Sequence, residues 1–337
     1  MTMTAAPAES PVFSLRNLTV DFRHGEGFVR ALHGIDLDLA RGETLGIVGE
    51  SGCGKSITWL AALGLLRGGA KVGGSAKVMG QELVQASDKT LSSVRGGRVA
   101  MIFQDPSSSL NPVHRIGKQL LEALRLHRGL TGEAARAEAV RLLDRVGISN
   151  APQRMREYAH EMSGGMNQRI MIAMALAGEP EVLIADEATT ALDTTIQAQV
   201  LALLQEIQKD TGSALVIISH DLGVVAEMTD RVAVMYCGRV IETGDRDEIF
   251  DNPQHPYTRG LMAAVPDLTG PRQRLIAIPG TVPAPDRLPP GCFFSPRCER
   301  AASECRSGAI SMQSIGQSAT HHAACVRLEA ISQGVAS

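Results

Sequence analysis

Apolar runs of strand length alternate with stretches of helical periodicity along most of this chain. Residues 13–22 and 29–39 read as strands, and the five-residue run Thr44-Leu45-Gly46-Ile47-Val48 reads as a buried one. Ile57 to Leu63 opens a helix, and Arg98-Val99-Ala100-Met101-Ile102-Phe103 is again a buried strand. From residue 112 to 176 the pattern turns helical; Thr131 is placed to cap a helix carrying Ala137, Val140, Leu143 and Val146 on one face. Strand character returns at Val182-Leu183-Ile184-Ala185 and at Ala214-Leu215-Val216-Ile217-Ile218. Between them Ile196, Val200, Leu203 and Ile207 form the stripe of a crossover helix. Strands alternating with helices predict an α/β fold with a mainly parallel sheet covered on both faces, here split by a helical insert. Residues 1–12 read as a disordered lead, and no internal repeat is found.

Composition narrows the class. With 337 residues, 44% hydrophobic and 20% charged, the chain is long enough for one large domain or two smaller ones. A net charge of -3 offers no basic footprint, which argues against nucleic acid as a partner. No apolar run approaches the roughly 18 residues of a membrane span. The first ten residues lack the basic-then-apolar order of a signal peptide. The expectation is a cytosolic protein that reaches a membrane only by binding something embedded there. Eight of the 16 prolines fall between Pro266 and Pro296, and four of the 6 cysteines follow Gly291. This predicts a body at residues 13–265 and a separate cysteine-bearing appendage at 266–337, joined by a stiff irregular segment.

The chemistry concentrates first at Gly49-Glu50-Ser51-Gly52-Cys53-Gly54-Lys55-Ser56, which fills the pattern of a phosphate-binding P-loop. A strand before it and a helix after it supply the required context. Glycines let the loop close with its N–H groups pointing inward, and the positive end of the next helix faces the same anion. Lys55 then reaches the β- and γ-phosphates, and the Ser56 hydroxyl sits on Mg²⁺. Thr58, one turn into the helix, is a further candidate. The second feature is Asp186-Glu187, at the end of an apolar strand. Adjacent side chains there point apart, so Asp186 suits Mg²⁺ while Glu187 is free to orient or deprotonate a water. Cys53, inside the P-loop, is a candidate for making activity sensitive to thiol reagents.

Four more motifs complete the set: Gln104 in Ile102-Phe103-Gln104-Asp105-Pro106, Met162-Ser163-Gly164-Gly165-Met166-Asn167-Gln168-Arg169, Ala191-Leu192-Asp193, and His220 in Ile218-Ser219-His220-Asp221. With them the chain resembles the ATP-binding subunits of ABC transporters. The resemblance implies a P-loop NTPase fold: a RecA-like core, an antiparallel β subdomain, and a helical subdomain at about residues 105–178. It makes Glu187, His220 and Gln104 catalytic, with Gln104 also reading Mg²⁺ beside Ser56 and Asp186. Ser163, Gly164, Gly165 and Met166 become the signature that closes over ATP held by a partner subunit, and Asp193 belongs to the loop crossing the dimer interface. An aromatic from the first strands stacks on adenine in this family; Phe22 and Phe28 both qualify, and Phe22 is favoured. Met166 stands where the general signature has Gln. Asn167 is unusual, as is Ala188 where Pro is common, a change that frees the turn after Glu187.

The resemblance extends further, through Asn252-Pro253-Gln254-His255-Pro256-Tyr257-Thr258-Arg259, Ile278-Pro279-Gly280-Thr281-Val282-Pro283 and the run from Asp105 to Pro112. These match the dipeptide/oligopeptide (nickel) importer branch, in which Met at position 166 is usual. The branch implies a peripheral ATPase on the cytoplasmic face of the inner membrane, powering uptake of peptides or a related small solute. Implied partners are a second ATPase subunit (a heterodimer before a homodimer), two permease subunits and an extracytoplasmic solute-binding protein. The alternative is a soluble non-transport ABC ATPase of the DNA-repair or translation type; one cassette with no coiled coil weighs against it. Cys292, Cys298, Cys305 and Cys325 suit metal or redox chemistry better than disulfides in a cytosolic protein. Their spacing resembles the 4Fe–4S motif of part of the branch, with zinc or unligated thiols as alternatives. His321 and His322 read as surface residues or substitute ligands.

Overall fold

In the computed structural model the described residues are 10–66, 68–189, 193–264 and 277–328. The chain opens with β1 (Phe13–His24), β2 (Gly27–Leu39) and β3 (Thr44–Val48), followed by α1 (Lys55–Ala62). Next come β4 (Ala70–Val78), β5 (Gln81–Glu82), α2 (Asp88–Val94) and β6 (Val99–Ile102). A helical stretch follows: α3 (Pro106–Ser109), α4 (Ile116–Arg128), α5 (Gly132–Arg145), α6 (Ala151–Arg154) and α7 (Gly164–Leu176). Strand and helix then alternate through β7 (Val182–Asp186), α8 (Thr194–Thr211), β8 (Ala214–Ile218), α9 (Leu222–Met228) and β9 (Arg231–Tyr236). The rest holds β10 (Arg239–Asp245), α10 (Arg246–Asp251), α11 (Pro256–Ala263), β11 (Gln313–Ser314) and β12 (His322–Ala323).

Two compact units divide the chain. The first takes residues up to Leu15, Leu37–Glu43 and Ser75–Val216; the second takes Arg16–Asp36, Thr44–Gly74 and everything from Ile217. The division falls within β1, β2, β4 and β8, so each unit is described by its own pairings. In the first, β6 and β7 pair in parallel from Val99↔Val182 to Ile102↔Ala185, and β4 and β5 form a short antiparallel hairpin. All five residues of β7 are buried, as expected for a strand covered on both faces. In the second, β3 pairs in parallel with β9, which turns through Cys237-Gly238 into antiparallel β10. β12 joins β10, and β11 pairs with β12.

The predicted strands are present, and two helix details differ from expectation. On α5 the buried face is Ala135, Ala139, Leu142 and Leu143, while Ala137 is exposed. Thr131 occupies the N-cap position without a side-chain cap bond. On α8 the buried residues are Val200, Leu203, Leu204 and Ile207, with Ile196 half-buried above them. Among the described residues no helix is long and apolar enough to cross a membrane.

The C-terminal segment does not stand apart as the proline pattern predicts. Phe294 and Ala324 are buried in one core with Val48, Val232, Val234, Tyr236 and Tyr257. Ring centroids lie 4.7 Å apart for Tyr236–Tyr257, and 5.4 Å apart for Phe294 with each tyrosine. Aromatic side chains contribute the largest single burials available to a core, so this cluster fastens the segment to the P-loop strand's own sheet. Residues 265–276 of the expected stiff segment lie outside the described residues, as do residues 1–9 of the expected lead.

Candidate functional site

In the second unit β3 delivers the chain into the P-loop. Gly49 has φ +149°, and a Cβ there would lie 2.2 Å from the Met235 carbonyl oxygen of β9, so the loop can leave the strand only with glycine at this point. Lys55 is 6% exposed, and its ammonium donates to the carbonyls of Gly49 at 2.7 Å and Glu50 at 3.2 Å. Ser56 is half-buried on the first turn of α1. The Thr58 hydroxyl donates to the Gly54 carbonyl at 2.9 Å and is buried. Cys53 is also buried, and burial pushes its thiol up, so little reactive thiolate forms.

Three contacts brace the loop from outside. The Gly238 N–H donates to the Cys53 carbonyl at 2.8 Å. The Glu50 N–H donates to the Tyr257 hydroxyl at 2.8 Å, and the Glu50 carboxylate takes a two-pronged ion pair from Arg297, at 2.7 and 2.9 Å. His220 follows β8, whose Ser219 N–H donates to the Ile47 carbonyl of β3 at 3.3 Å. It is exposed at the carboxyl end of that strand, where open α/β sheets hold their ligands. Of the two aromatics, Phe22 is half-buried on β1 and Phe28 is 46% exposed, with the Lys71 ammonium 3.8 Å from its ring centroid.

The first unit holds the carboxylates and the signature. Asp186 closes β7 and is 7% exposed; Glu187 is half-buried, with φ +47°. The chain thus leaves β7 through a left-handed residue directly after Asp186. The Gln104 amide donates to the Glu187 carboxylate at 3.0 Å, joining two residues 83 apart in sequence. Ser163 caps α7 by accepting the Met166 N–H at 3.3 Å, leaving its own O–H to donate elsewhere. The unusual Asn167 has a local purpose: its amide donates to the Ala159 carbonyl at 2.9 Å, tying α7 to the preceding turn. Asp193 caps α8 by accepting the Ile196 N–H at 3.0 Å. Ser163, Gly164, Gly165, Met166 and Asp193 all line one cleft of about 570 Å³. Ala191 and Leu192 lie outside the described residues.

Cys292, Cys298, Cys305 and Cys325 line a single small cavity in the second unit, with His255 and Phe294 among its other walls. The Cys292 N–H donates to the Cys305 carbonyl at 2.9 Å, and burial pushes the thiols of Cys292, Cys298 and Cys325 up, the last to about 11. Among the described residues no three His, Cys, Asp or Glu side chains form a group that could hold a metal ion. His321 is no surface residue. It is 2% exposed and bonded through Nε2, at 2.9 Å, to a Glu242 carboxylate that is 0% exposed. Glu242 also accepts the N–H groups of Gln254 at 2.6 Å and His255 at 2.8 Å. Burial holds the His255 ring down to about 4, so it stays neutral at ordinary pH, and its Nδ1 accepts the Tyr257 N–H at 3.1 Å. Sequence reasoning missed Glu242, Arg297 and the anchoring roles of His255 and Tyr257. Only the His-Pro-Tyr motif carried a signal for any of them.

Comparison with known proteins agrees with this geometry. A family model described as ABC transporter matches residues 32–190, and one described as oligopeptide/dipeptide transporter, C-terminal region, matches 241–305. A putative peptide import ATP-binding protein of Brucella abortus is 50% identical over 304 residues, covering 90% of this chain and 92% of that one. The oligopeptide transport ATP-binding protein OppD of Escherichia coli is 47% identical over 296 residues, 88% of each chain. Among solved structures, an ATP-binding cassette captured as a dimer in a post-hydrolysis state with ADP and Pi superposes with a TM-score of 0.62. It is 26% identical and covers 69% of this chain and 98% of its own. CbiO1 of Clostridium perfringens, part of an ABC transporter complex, also gives 0.62, at 29% identity over 72% and 92% of the two chains.

Proposed function

The chain belongs to the ATP-binding subunits of ABC transporters and is an ATPase, and from that premise we propose that it powers import of di- or oligopeptides. The observation that carries the reading is one chain holding a P-loop, a Gln104–Glu187 pair, a Ser163-capped signature helix and the oligopeptide-type C-terminal region.

ATP phosphates are taken by P-loop N–H groups, that of Glu50 excepted because it is committed to Tyr257, with Lys55 exchanging its carbonyl partners for β- and γ-phosphate oxygens. Phe22 stacks on adenine. Gln104 and Asp186 of the first unit offer oxygen ligands, Asp186 as a buried carboxylate, and the Ser56 hydroxyl offers another; each is of a type that would suit Mg²⁺. When bound, Mg²⁺ neutralises charge on the transferring phosphoryl group. Glu187 takes the proton of the attacking water while Gln104 holds its carboxylate in place; His220 donates to the γ-phosphate. Ser163, Gly164, Gly165 and Met166 close over a nucleotide bound by a second, related ATPase subunit, with Asp193 at the shared interface. Two permease subunits and an extracytoplasmic binding protein complete the transporter, and this subunit works at the cytoplasmic face of the inner membrane. Peptide-stimulated ATP hydrolysis and uptake by proteoliposomes carrying the whole complex is the test. Co-purification with ribosomes or DNA, without any permease, would remove the proposal.

The four cysteines hold a 4Fe–4S cluster in this reading. Four thiols on one cavity would supply its ligands, the number and type that a 4Fe–4S cluster takes. An anaerobic preparation should be brown, absorbing at about 400 nm, and should lose that band in Cys325→Ser. A colourless protein carrying one zinc per chain would exclude the cluster.

A further inference from the structure

The P-loop includes one acidic residue. Glu50, its second residue, brings a carboxylate to a loop whose task is to attract polyanions. Arg297 answers that charge from 247 residues away, with Nη1 and Nη2 each on a different carboxylate oxygen, at 2.7 and 2.9 Å. The Arg297 side chain is 4% exposed and that of Glu50 is 30% exposed, so the pair is more than a solvated surface contact. Arg297 is itself held. Its Nε donates to the Pro279 carbonyl at 2.8 Å, and its guanidinium lies 5.9 and 5.8 Å from the ring centroids of Tyr236 and Phe294. The pair with Glu50 pushes the guanidinium pKa up further, so the charge is permanent. The same loop residue also commits its N–H to Tyr257, another side chain of the C-terminal half.

We propose that Arg297 is a positioning residue for ATP: it neutralises Glu50 and fixes the entry of the P-loop, so that the C-terminal segment sets this subunit's nucleotide affinity. This rests on the reading that residues 49–56 hold the phosphates. Without Arg297 the Glu50 carboxylate stands unpaired beside the triphosphate, and the repulsion acts on bound nucleotide before and during reaction alike. Such uniform loss weakens binding and raises KM while kcat at saturation stays close to parental.

The test measures binding of the fluorescent trinitrophenyl analogue of ATP to the full chain. Arg297→Met keeps an unbranched stem in the aromatic pocket and is expected to weaken binding by about tenfold or more. Glu50→Gln is the other single variant of the cycle, and its affinity sets the level to which the double variant is expected to return. The double variant should regain most of the lost affinity, because the carboxylate that repels the phosphates is gone; a loss that reflected damaged packing alone would not be rescued. Parental affinity in Arg297→Met, or a double variant as weak as Arg297→Met, overturns the proposal. If Arg297→Met does not fold, Arg297→Lys replaces it, since Lys keeps the charge but loses the two-pronged fork; rescue of its weakened binding by Glu50→Gln is then the deciding result. Lys55→Ala separates the premise from the inference, for undiminished binding there would overturn the P-loop reading itself.

Discussion

Replacing Glu187 by Gln is expected to slow ATP hydrolysis by about 10²–10⁴-fold, the contribution of a positioned general base, while leaving nucleotide binding near parental. The substitution keeps the shape of the side chain. An amide oxygen at position 187 still accepts the Gln104 amide hydrogen now bonded at 3.0 Å, so the turn should keep its place. What disappears is the capacity to take a proton from water. Ala188 gives that turn more freedom than a proline would, yet the backbone of Glu187 still adopts a φ of +47°. Phosphate release by the assembled transporter, set beside equilibrium ATP binding, reads the two effects separately. Hydrolysis at the parental rate would remove Glu187 from the mechanism.

The second large effect is on stability. Glu242→Ala should destabilise the chain by about 3–5 kcal/mol, the scale of stranding several buried polar groups at once. Three donors lose their acceptor together: the N–H groups of Gln254 and His255, and His321 Nε2. Unsatisfied buried donors cost about 1–3 kcal/mol each, which is enough to account for the total without any Coulombic attraction. In a chain of this size the loss corresponds to a Tm lower by roughly 4–7 °C. Glu242→Gln retains one good acceptor and should lose less. A melt of Glu242→Ala within about 2 °C of the parent would mean that this cluster does not anchor the C-terminal segment.

That anchoring changes how the C-terminal region is understood. Composition marks it as an appendage, since prolines and cysteines collect there. Packing makes it a wall of the nucleotide-binding unit: Phe294 lies in the core beneath β9, Tyr257 holds a P-loop N–H, and Arg297 holds the Glu50 carboxylate. A segment identified with peptide importers therefore touches the loop that the whole ATPase family shares.

Sequence alone determined the parts whose physics is local. Apolar runs made β3 and β7 readable and glycine spacing made the P-loop readable, while the signature at Ser163 was read from its resemblance to the ABC family. Such signals act over a few residues, where period and turn chemistry suffice. Only the folded chain decided where long-range partners meet. Glu242 faces inward because β10 slips register between Val240 and Glu242, an irregularity that re-aims a side chain which simple alternation would expose. His321 is buried because β12 pairs with β10 next to it, and Arg297 finds Glu50 because a cluster of three aromatic rings pins the intervening chain. The same folding brings four scattered cysteines to one cavity. No pattern in the intervening residues encodes these meetings, since each depends on sheet register and core packing rather than on neighbours in the chain.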